Sequence, residues 1–324
     1  MLQQTRVGVV APRFEAFLRR WPGPADLAAS PVEEVLAAWS GLGYYRRARN
    51  LHAAARALVD RHGGAFPAAA AALRDLPGVG EYTAGAVGSL ALGLPLPLVD
   101  GNVARVLARL FAVRGDPRAG PAARRIRGIA ASLVPERGAG AWNEGLMELG
   151  ALVCVPGRPR CPSCPLRGEC EARKRGLEER IPETAARKPA RAVRLVAALV
   201  HDGLGRTLLL RRPDGGLLGG TYELPHAEVA EGADAAAALS GALRDRLGGR
   251  WEVGALRARV RHSILDRRIA LEAYDARPEG RRRGTRRDAV YAAADGLSAL
   301  PLSSLVTKTL AAAGLGGADE VTEK

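Results

Sequence analysis

Lysine is scarce in this chain: only 4 of its 48 basic residues are Lys, so the excess over 34 acidic residues rests on arginine. Cysteine is as scarce, and its four copies all fall within 17 residues. No charged segment leading into an apolar run opens the sequence, so nothing marks the chain for export and a cytoplasmic protein is expected. Long apolar runs are missing as well. The longest uncharged stretch, Tyr82 to Val99, is interrupted by Gly85, Gly88, Gly93, Pro95 and Pro97 and reads as a buried helix followed by a loop, not a membrane span.

At 324 residues the chain has room for two domains, each with its own core. Its cation excess is shared, 25 against 17 acids in residues 1–183 and 23 against 17 in 184–324. A net charge of +14 and a pI near 10.5 suit a nucleic acid partner, because neutralised phosphates release counterions whatever the sequence. An arginine- and alanine-rich composition equally suits a high-GC genome, so charge alone leaves both explanations open.

From Arg13 to about Cys154 apolar residues recur at three- and four-residue steps between Pro and Gly punctuation, which predicts helices and no strands. Val103, Val106, Leu107, Leu110 and Phe111 form one helical face, with Asp100 and Asn102 where that helix would begin. Residues 184–192 are polar and basic without apolar period and read as a linker. Beyond it, Val193–Val200 and Thr207–Leu210 flank a turn at Asp202-Gly203 and together read as a hairpin. Residues 233–247 read as a helix and 251–260 and 268–275 as strands, so the second domain, 193–318, is α+β.

Three constellations carry chemistry. Cys154, Cys161, Cys164 and Cys170 form a C-x6-C-x2-C-x5-C cluster in a chain without an export signal, which argues for metal thiolates over disulfides. Spacing does not separate structural zinc from a cubane cluster. Leu76-Pro-Gly-Val-Gly80 followed by Glu81-Tyr82 reads as helix, tight turn, helix; it is either an ordinary helix connection or a hairpin whose backbone amides, at Gly78, Val79 and Gly80, meet a phosphate. Asp100, in Val99-Asp-Gly-Asn-Val103, is a helix N-cap or a carboxylate with a further task.

Taken together these segments resemble the helix-hairpin-helix, endonuclease III superfamily, and in particular its adenine DNA glycosylases. The match extends to Met1-Leu-Gln-Gln-Thr5 and to Gly41-Leu-Gly-Tyr-Tyr45-Arg-Arg-Ala-Arg49-Asn-Leu-His52. The resemblance implies a multidomain α and α+β protein: an all-α glycosylase domain over 1–183 with a 4Fe-4S loop at 154–170, then a Nudix-like domain over 193–318. It implies a cytoplasmic, nucleoid-associated monomer, free of membranes, that removes adenine mispaired with 8-oxoguanine or guanine in double-stranded DNA.

The resemblance also distributes roles. Asp100, with Asn102 beside it, would stabilise the oxocarbenium-like sugar as the glycosidic bond breaks, placing negative charge where positive charge develops. Tyr82 stands where the bifunctional relatives place the lysine that attacks C1′, so a monofunctional enzyme is implied. Gln3, Gln4, Tyr44 and Arg46 would contact DNA, Gln4 and Tyr44 within the base stack. Arg46, Arg47 and Arg49 also fit a solvated helix face. In the second domain Gly219-Gly-Thr-Tyr-Glu-Leu-Pro225 resembles a Nudix turn, but the Glu-rich helix that would hold Mg²⁺ is missing from 226–248, so binding without hydrolysis follows. The loop His262–Arg267 resembles the 8-oxoguanine reader, with Leu265 in place of the usual hydroxyl residue; Ser263 and Asp266 are the candidate substitutes for its hydrogen bond.

In this family the general acid is a Glu two residues before the Met of Met-Leu-Gln-Gln-Thr, and the chain begins at that Met. The expectation is therefore an internal Met, from a misplaced start or a truncation, and a polypeptide that binds lesion DNA better than it cleaves it unless an acid such as Glu81 or Glu144 substitutes. Two other readings stay open: a pyrimidine-specific glycosylase/lyase, which Tyr82 and the second domain oppose, and a mismatch-binding protein without catalysis.

Overall fold

The computed structural model describes residues 1–183, 189–216, 218–280 and 288–316. Ten helices come first: α1 (Val7–Arg20), α2 (Pro24–Ala29), α3 (Val32–Ala38), α4 (Arg46–His62), α5 (Ala70–Arg74), α6 (Glu81–Ala86), α7 (Gly101–Leu110), α8 (Gly120–Leu133), α9 (Ala139–Glu148) and α10 (Glu171–Lys174). They are followed by β1 (Arg191–Leu199), β2 (Thr207–Arg211), β3 (Tyr222–Glu223), β4 (His226–Val229), α11 (Ala235–Leu247), β5 (Arg250–Ile264), β6 (Arg267–Glu279), β7 (Ala289–Ala292) and α12 (Ser304–Ala312). The order is thus all-helical first and α+β after, as expected from the sequence. No helix among the described residues is long and apolar enough to cross a membrane.

By its packing the chain divides into two compact units, Ala57–Arg187 and a second made of Met1–Arg56 with Lys188–Lys324. Residues 184–188 of the expected linker and 317–318 of the expected second domain lie outside the described residues. Arg191 and Ala192, also placed in the linker by the sequence, open β1.

The unit Ala57–Arg187 is built round α7. Asp100 caps it, its carboxylate accepting the Val103 amide at 2.7 Å, and Val103, Val106 and Leu107 bury against Leu98, Ile126, Leu146 and Ile181. The expected apolar face ends sooner than its periodicity suggests: Leu110 is half-buried and Phe111 is exposed, because Phe111 is already the C-cap. Tyr82 to Val99 is likewise only partly buried. After α6 the chain passes through a π turn at Val87–Ala91 that leaves Leu90 and Leu92 outside.

In the other unit, α1 to α4 close over Phe17, Trp21, Leu36, Trp39 and Tyr45. The C-terminal part holds a four-stranded sheet ordered β4-β1-β6-β5 and a three-stranded sheet ordered β3-β2-β7. β1 and β6 run parallel, while β5 and β6 form a long antiparallel hairpin with a two-residue turn, Leu265-Asp266. The expected β1–β2 hairpin does not extend into a sheet. Its turn forms, with the Asp202 amide donating to the Arg206 carbonyl at 3.1 Å, but β1 and β2 then enter different sheets. Both runs are buried on both faces, so alternation carried no information about their partners. α11 fills the space beside the first sheet with Leu239 and Leu243; its one acid, Asp245, lies against Arg244, so no carboxylate row faces a metal.

Candidate functional site

Gly78 takes φ +76°, and the Val79 amide closes the turn onto the Leu76 carbonyl at 3.0 Å. Gly80 then starts α6, whose first amides lack acceptors within the helix, and Gly78 and Gly80 are exposed. Glu81, in that first turn, pairs with Arg127 at 3.3 Å. Gly85 lets the following loop come close: a Cβ there would stand 2.2 Å from the Pro97 carbonyl oxygen. Buried Asn143 fixes the same loop, donating to the Leu96 carbonyl at 2.9 Å and accepting the Leu98 amide at 3.3 Å. The loop delivers Asp100 to the neighbourhood of Tyr82. Burial, and then the charge of Asp100, raise the Tyr82 phenol above the ordinary tyrosine value, so the group stays protonated at neutral pH.

Both oxygens of Asp100 are engaged, Oδ1 by the Val103 amide and Oδ2 by Asn102 Nδ2 at 3.1 Å. Asn102 in turn accepts from Arg105 Nη2 at 2.9 Å, which also donates to the Gly150 carbonyl at 2.6 Å, while Arg105 Nε donates to the Cys154 carbonyl at 2.7 Å. Gly150 presses on Asn102 so closely that a Cβ would meet the Asn102 Cβ at 2.6 Å. One turn along, Arg109 is buried and donates to the carbonyls of Ile181, Val155 and Gly157 and to Cys154 Sγ at 3.3 Å. Thus α7 holds the carboxylate at its start and the cysteine loop along its side.

Cys154, Cys161, Cys164 and Cys170 are free thiols lining one small cavity with Arg109, Arg167 and Arg173. Burial raises the Cys161 thiol, and Glu178 and the other three cysteines add to the effect, so four thiolates need positive charge among them. Among the described residues no three His, Cys, Asp or Glu side chains converge tightly enough to hold one metal ion.

The other unit gathers the remaining candidates. Arg47 donates to the carbonyls of Met1 and Gln3, and to Thr5 Oγ1 at 2.8 Å and the Leu42 carbonyl at 2.9 Å, fixing the segment that carries Gln3 and Gln4. Of the five non-glycine residues with positive φ among the described residues, three are Gln4 (58°), Tyr44 (47°) and Leu265 (54°), all singled out by sequence as DNA-facing. Such backbone costs roughly 1–2 kcal/mol per residue and concentrates where side chains are aimed for function. Tyr44, Arg46 and Leu265 line one cavity of about 620 Å³, together with His226, His262 and Arg267. The segment His262–Arg267 is a strand end more than a loop: His262 to Ile264 belong to β5 and only Leu265 and Asp266 turn. Ser263 stands opposite Arg268 across the hairpin and is not among the residues lining this cavity.

Arg47, Arg105, Arg109, Asn143 and Gly150 were not read from the sequence as site residues. For the arginines the available signal was their helical spacing from Asp100 and from Tyr44. Arg49 is half-buried and does not line the cavity; it donates to the Gly219 carbonyl at 2.7 Å and pairs with Asp214 at 3.1 Å.

Residues 1–136 match the family of HhH-GPD superfamily base excision DNA repair proteins, and residues 195–312 match the NUDIX domain. The chain thus carries a domain of that base excision DNA repair superfamily and, after it, a Nudix-like domain. Among curated relatives, the adenine DNA glycosylase of Homo sapiens is 37% identical over 270 residues, covering 69% of this chain and 50% of its own length. That of Arabidopsis thaliana is 37% identical over 268 residues, covering 73% and 42%, and that of Mycolicibacterium smegmatis 43% identical over 177 residues, covering 55% and 59%. The chain spans about half the length of the curated relatives it matches.

Proposed function

We propose that the chain is a monofunctional adenine DNA glycosylase acting on adenine opposite 8-oxoguanine or guanine in duplex DNA, as a monomer. Its working parts are the glycosylase domain, 1–183, and the lesion-recognition domain, 193–318, joined by 184–192. The observation that carries this is Asp100: a carboxylate held by two hydrogen bonds behind the hairpin and beside Tyr82. A fixed negative charge stabilises a sugar cation without reorganising as it forms. The amides around Gly78, Val79 and Gly80 hold a backbone phosphate, which positions the duplex without reading its sequence. Adenine leaves the stack, Gln3, Gln4 and Tyr44 hold the gap, and Arg46 lies alongside. Asn102 orients Asp100. Tyr82 has no amine for a Schiff base, so the product is an abasic site and an intact strand.

A 4Fe-4S cluster would be held by Cys154, Cys161, Cys164 and Cys170, and when bound it acts as a covalent staple of the loop. Arg105 and Arg109 connect that loop to α7 and neutralise thiolate charge. The Nudix-like domain reads the base opposite adenine and hydrolyses nothing.

Single-turnover release of free adenine from an A:8-oxoguanine duplex tests the reading. Release without strand cleavage supports it; pyrimidine release with a nick, or tight binding with no release, replaces it with a lyase or a mismatch binder. Within this reading, Leu265→Ser is expected to raise the preference for 8-oxoguanine over guanine about fivefold, the effect of roughly 1 kcal/mol for one net hydrogen bond. The ratio of excision rates on the two duplexes measures it. An unchanged ratio would assign the reading to another group on the cavity wall, of which His262 is the polar neighbour.

A further inference from the structure

Along the β5–β6 hairpin the cations divide into two sets. Away from the turn three are paired, Arg259 with Glu272 at 3.1 Å, Arg257 with Asp275 at 3.3 Å and Arg277 with Glu252 at 2.9 Å, and Arg250, among the described residues, stands alone at the far end. Near the turn they are not. The side chains of Arg261 and Arg268, and of Lys308 on α12, make no ion pair or hydrogen bond among the described residues, yet all three line one open cleft with Ser263.

The register explains the grouping. Ser263 stands opposite Arg268 and Arg261 opposite Ala270, so these four share one face of the hairpin, while Ile264 lines the cavity that holds Tyr44 and Leu265 and His262 lines both that cavity and the cleft. β5 is the edge strand of its sheet, and Lys308 completes the cleft; its charge reaches His262. Three uncompensated cations held together repel one another and weaken the fold unless an anion meets them.

We infer that Arg261, Ser263, Arg268 and Lys308 form a phosphate clamp for the DNA backbone, adjoining the base-reading cavity and sharing the His262 wall with it. The anion is a phosphodiester rather than an acidic protein segment, because the basic surface runs on through Arg267 and Arg46 at the rim of the cavity lined by Leu265. A hydroxyl among arginines is also an ordinary phosphate ligand. This rests on the reading of the chain as a DNA glycosylase only in naming the strand that is gripped. The clamp itself demands just a duplex. It gives Ser263 a task, and it sets a holding surface beside the specifying one at the hairpin tip.

The test is the salt dependence of duplex binding by the full chain, measured by anisotropy with an A:8-oxoguanine duplex and with a fully matched duplex of the same length. Each phosphate that the protein no longer neutralises lowers the slope of log affinity against log salt by about 0.9. Replacing Arg261, Arg268 and Lys308 together by Gln should therefore lower it by roughly 2–3 on both duplexes. The ratio of the two affinities should persist, since phosphate contacts carry no base information. Arg277→Gln, which removes one charge from the paired end, should leave the slope as it is, and thermal melting confirms that each variant is folded. A folded triple variant with the wild-type slope overturns the clamp. So does loss of binding to polyglutamate with the duplex slope intact, which makes the cleft a protein-docking site. A wild-type chain that neither prefers the lesion duplex nor releases adenine defeats the glycosylase reading, while the matched-duplex slope still decides the clamp. A wild-type chain that binds no duplex defeats both.

Discussion

Asp100→Asn is expected to slow single-turnover adenine release by about 10²–10³-fold, the scale on which removing one preorganised electrostatic group acts. The substitution is nearly isosteric. Its amide oxygen can still accept the Val103 amide, so the N-cap of α7 survives, and asparagine caps helices as well as aspartate. What disappears is the negative charge, together with the match to Asn102, whose Nδ2 would then face either an oxygen or a second amide donor. Duplex affinity should hold, because hairpin amides and arginines bind phosphate irrespective of this charge. The two readouts separate a catalytic role from a structural one. A rate that falls only in step with melting temperature would return Asp100 to being an N-cap alone, and an unchanged rate would remove it from the chemistry altogether.

Cys161→Ser is expected to yield protein without the brown iron–thiolate absorption of the wild type, with the iron gone and duplex binding weakened with it. Serine keeps the size of the residue but not its affinity for iron. The loop has little else to hold it. Cys161 lies in a three-residue helical turn, and the segment near it is fastened mainly by Arg109 and Arg105 through carbonyls and the Cys154 sulfur. Once the staple is gone, three remaining thiols and Glu178 face three arginines across an open cavity. Iron and sulfide analysis, visible absorption and duplex affinity are read on the same preparations. A colourless wild type carrying one zinc per chain would show the cysteines to be a zinc site, and an iron-free variant that binds duplex like the wild type would leave the cluster without a structural part in binding.

How legible all this was in the sequence depended on the range over which each feature is determined. Local features were: the Asp-Gly-Asn start of α7 is capped as expected, and Leu76–Gly80 turns as its glycines require. The helical character of the first part and the α+β character of the second followed from apolar period and from β-branched runs. The sheet order did not, because β1 and β2 are buried on both faces and β3 and β4 are only two and four residues long. Arg105 and Arg109 were hidden for another reason. On a helix with a strong apolar face an arginine reads as solvent-facing, and the carbonyls that bury these two lie 45 to 72 residues further along the chain. The grouping at the β5–β6 tip was likewise invisible until pairing fixed which residues share a face: a one-residue change of register would have exchanged the faces of Ser263 and His262.

The two units also differ in how the ribosome would deliver them. Ala57–Arg187 is one uninterrupted segment and can close on itself as soon as it has emerged. The first 56 residues belong instead with the last part of the chain, so Tyr45 meets its hydrogen-bond partner, the Leu302 carbonyl, only after 257 further residues have been made. Arg49 waits 170 residues for Gly219. Pairings of that separation form late and slowly, since the loop between them must be closed before they stabilise anything. During synthesis the helices that present Gln4 and Tyr44 would thus stand with one flank uncovered, and that interval, more than the finished structure, is when this chain is most exposed to aggregation and to proteases.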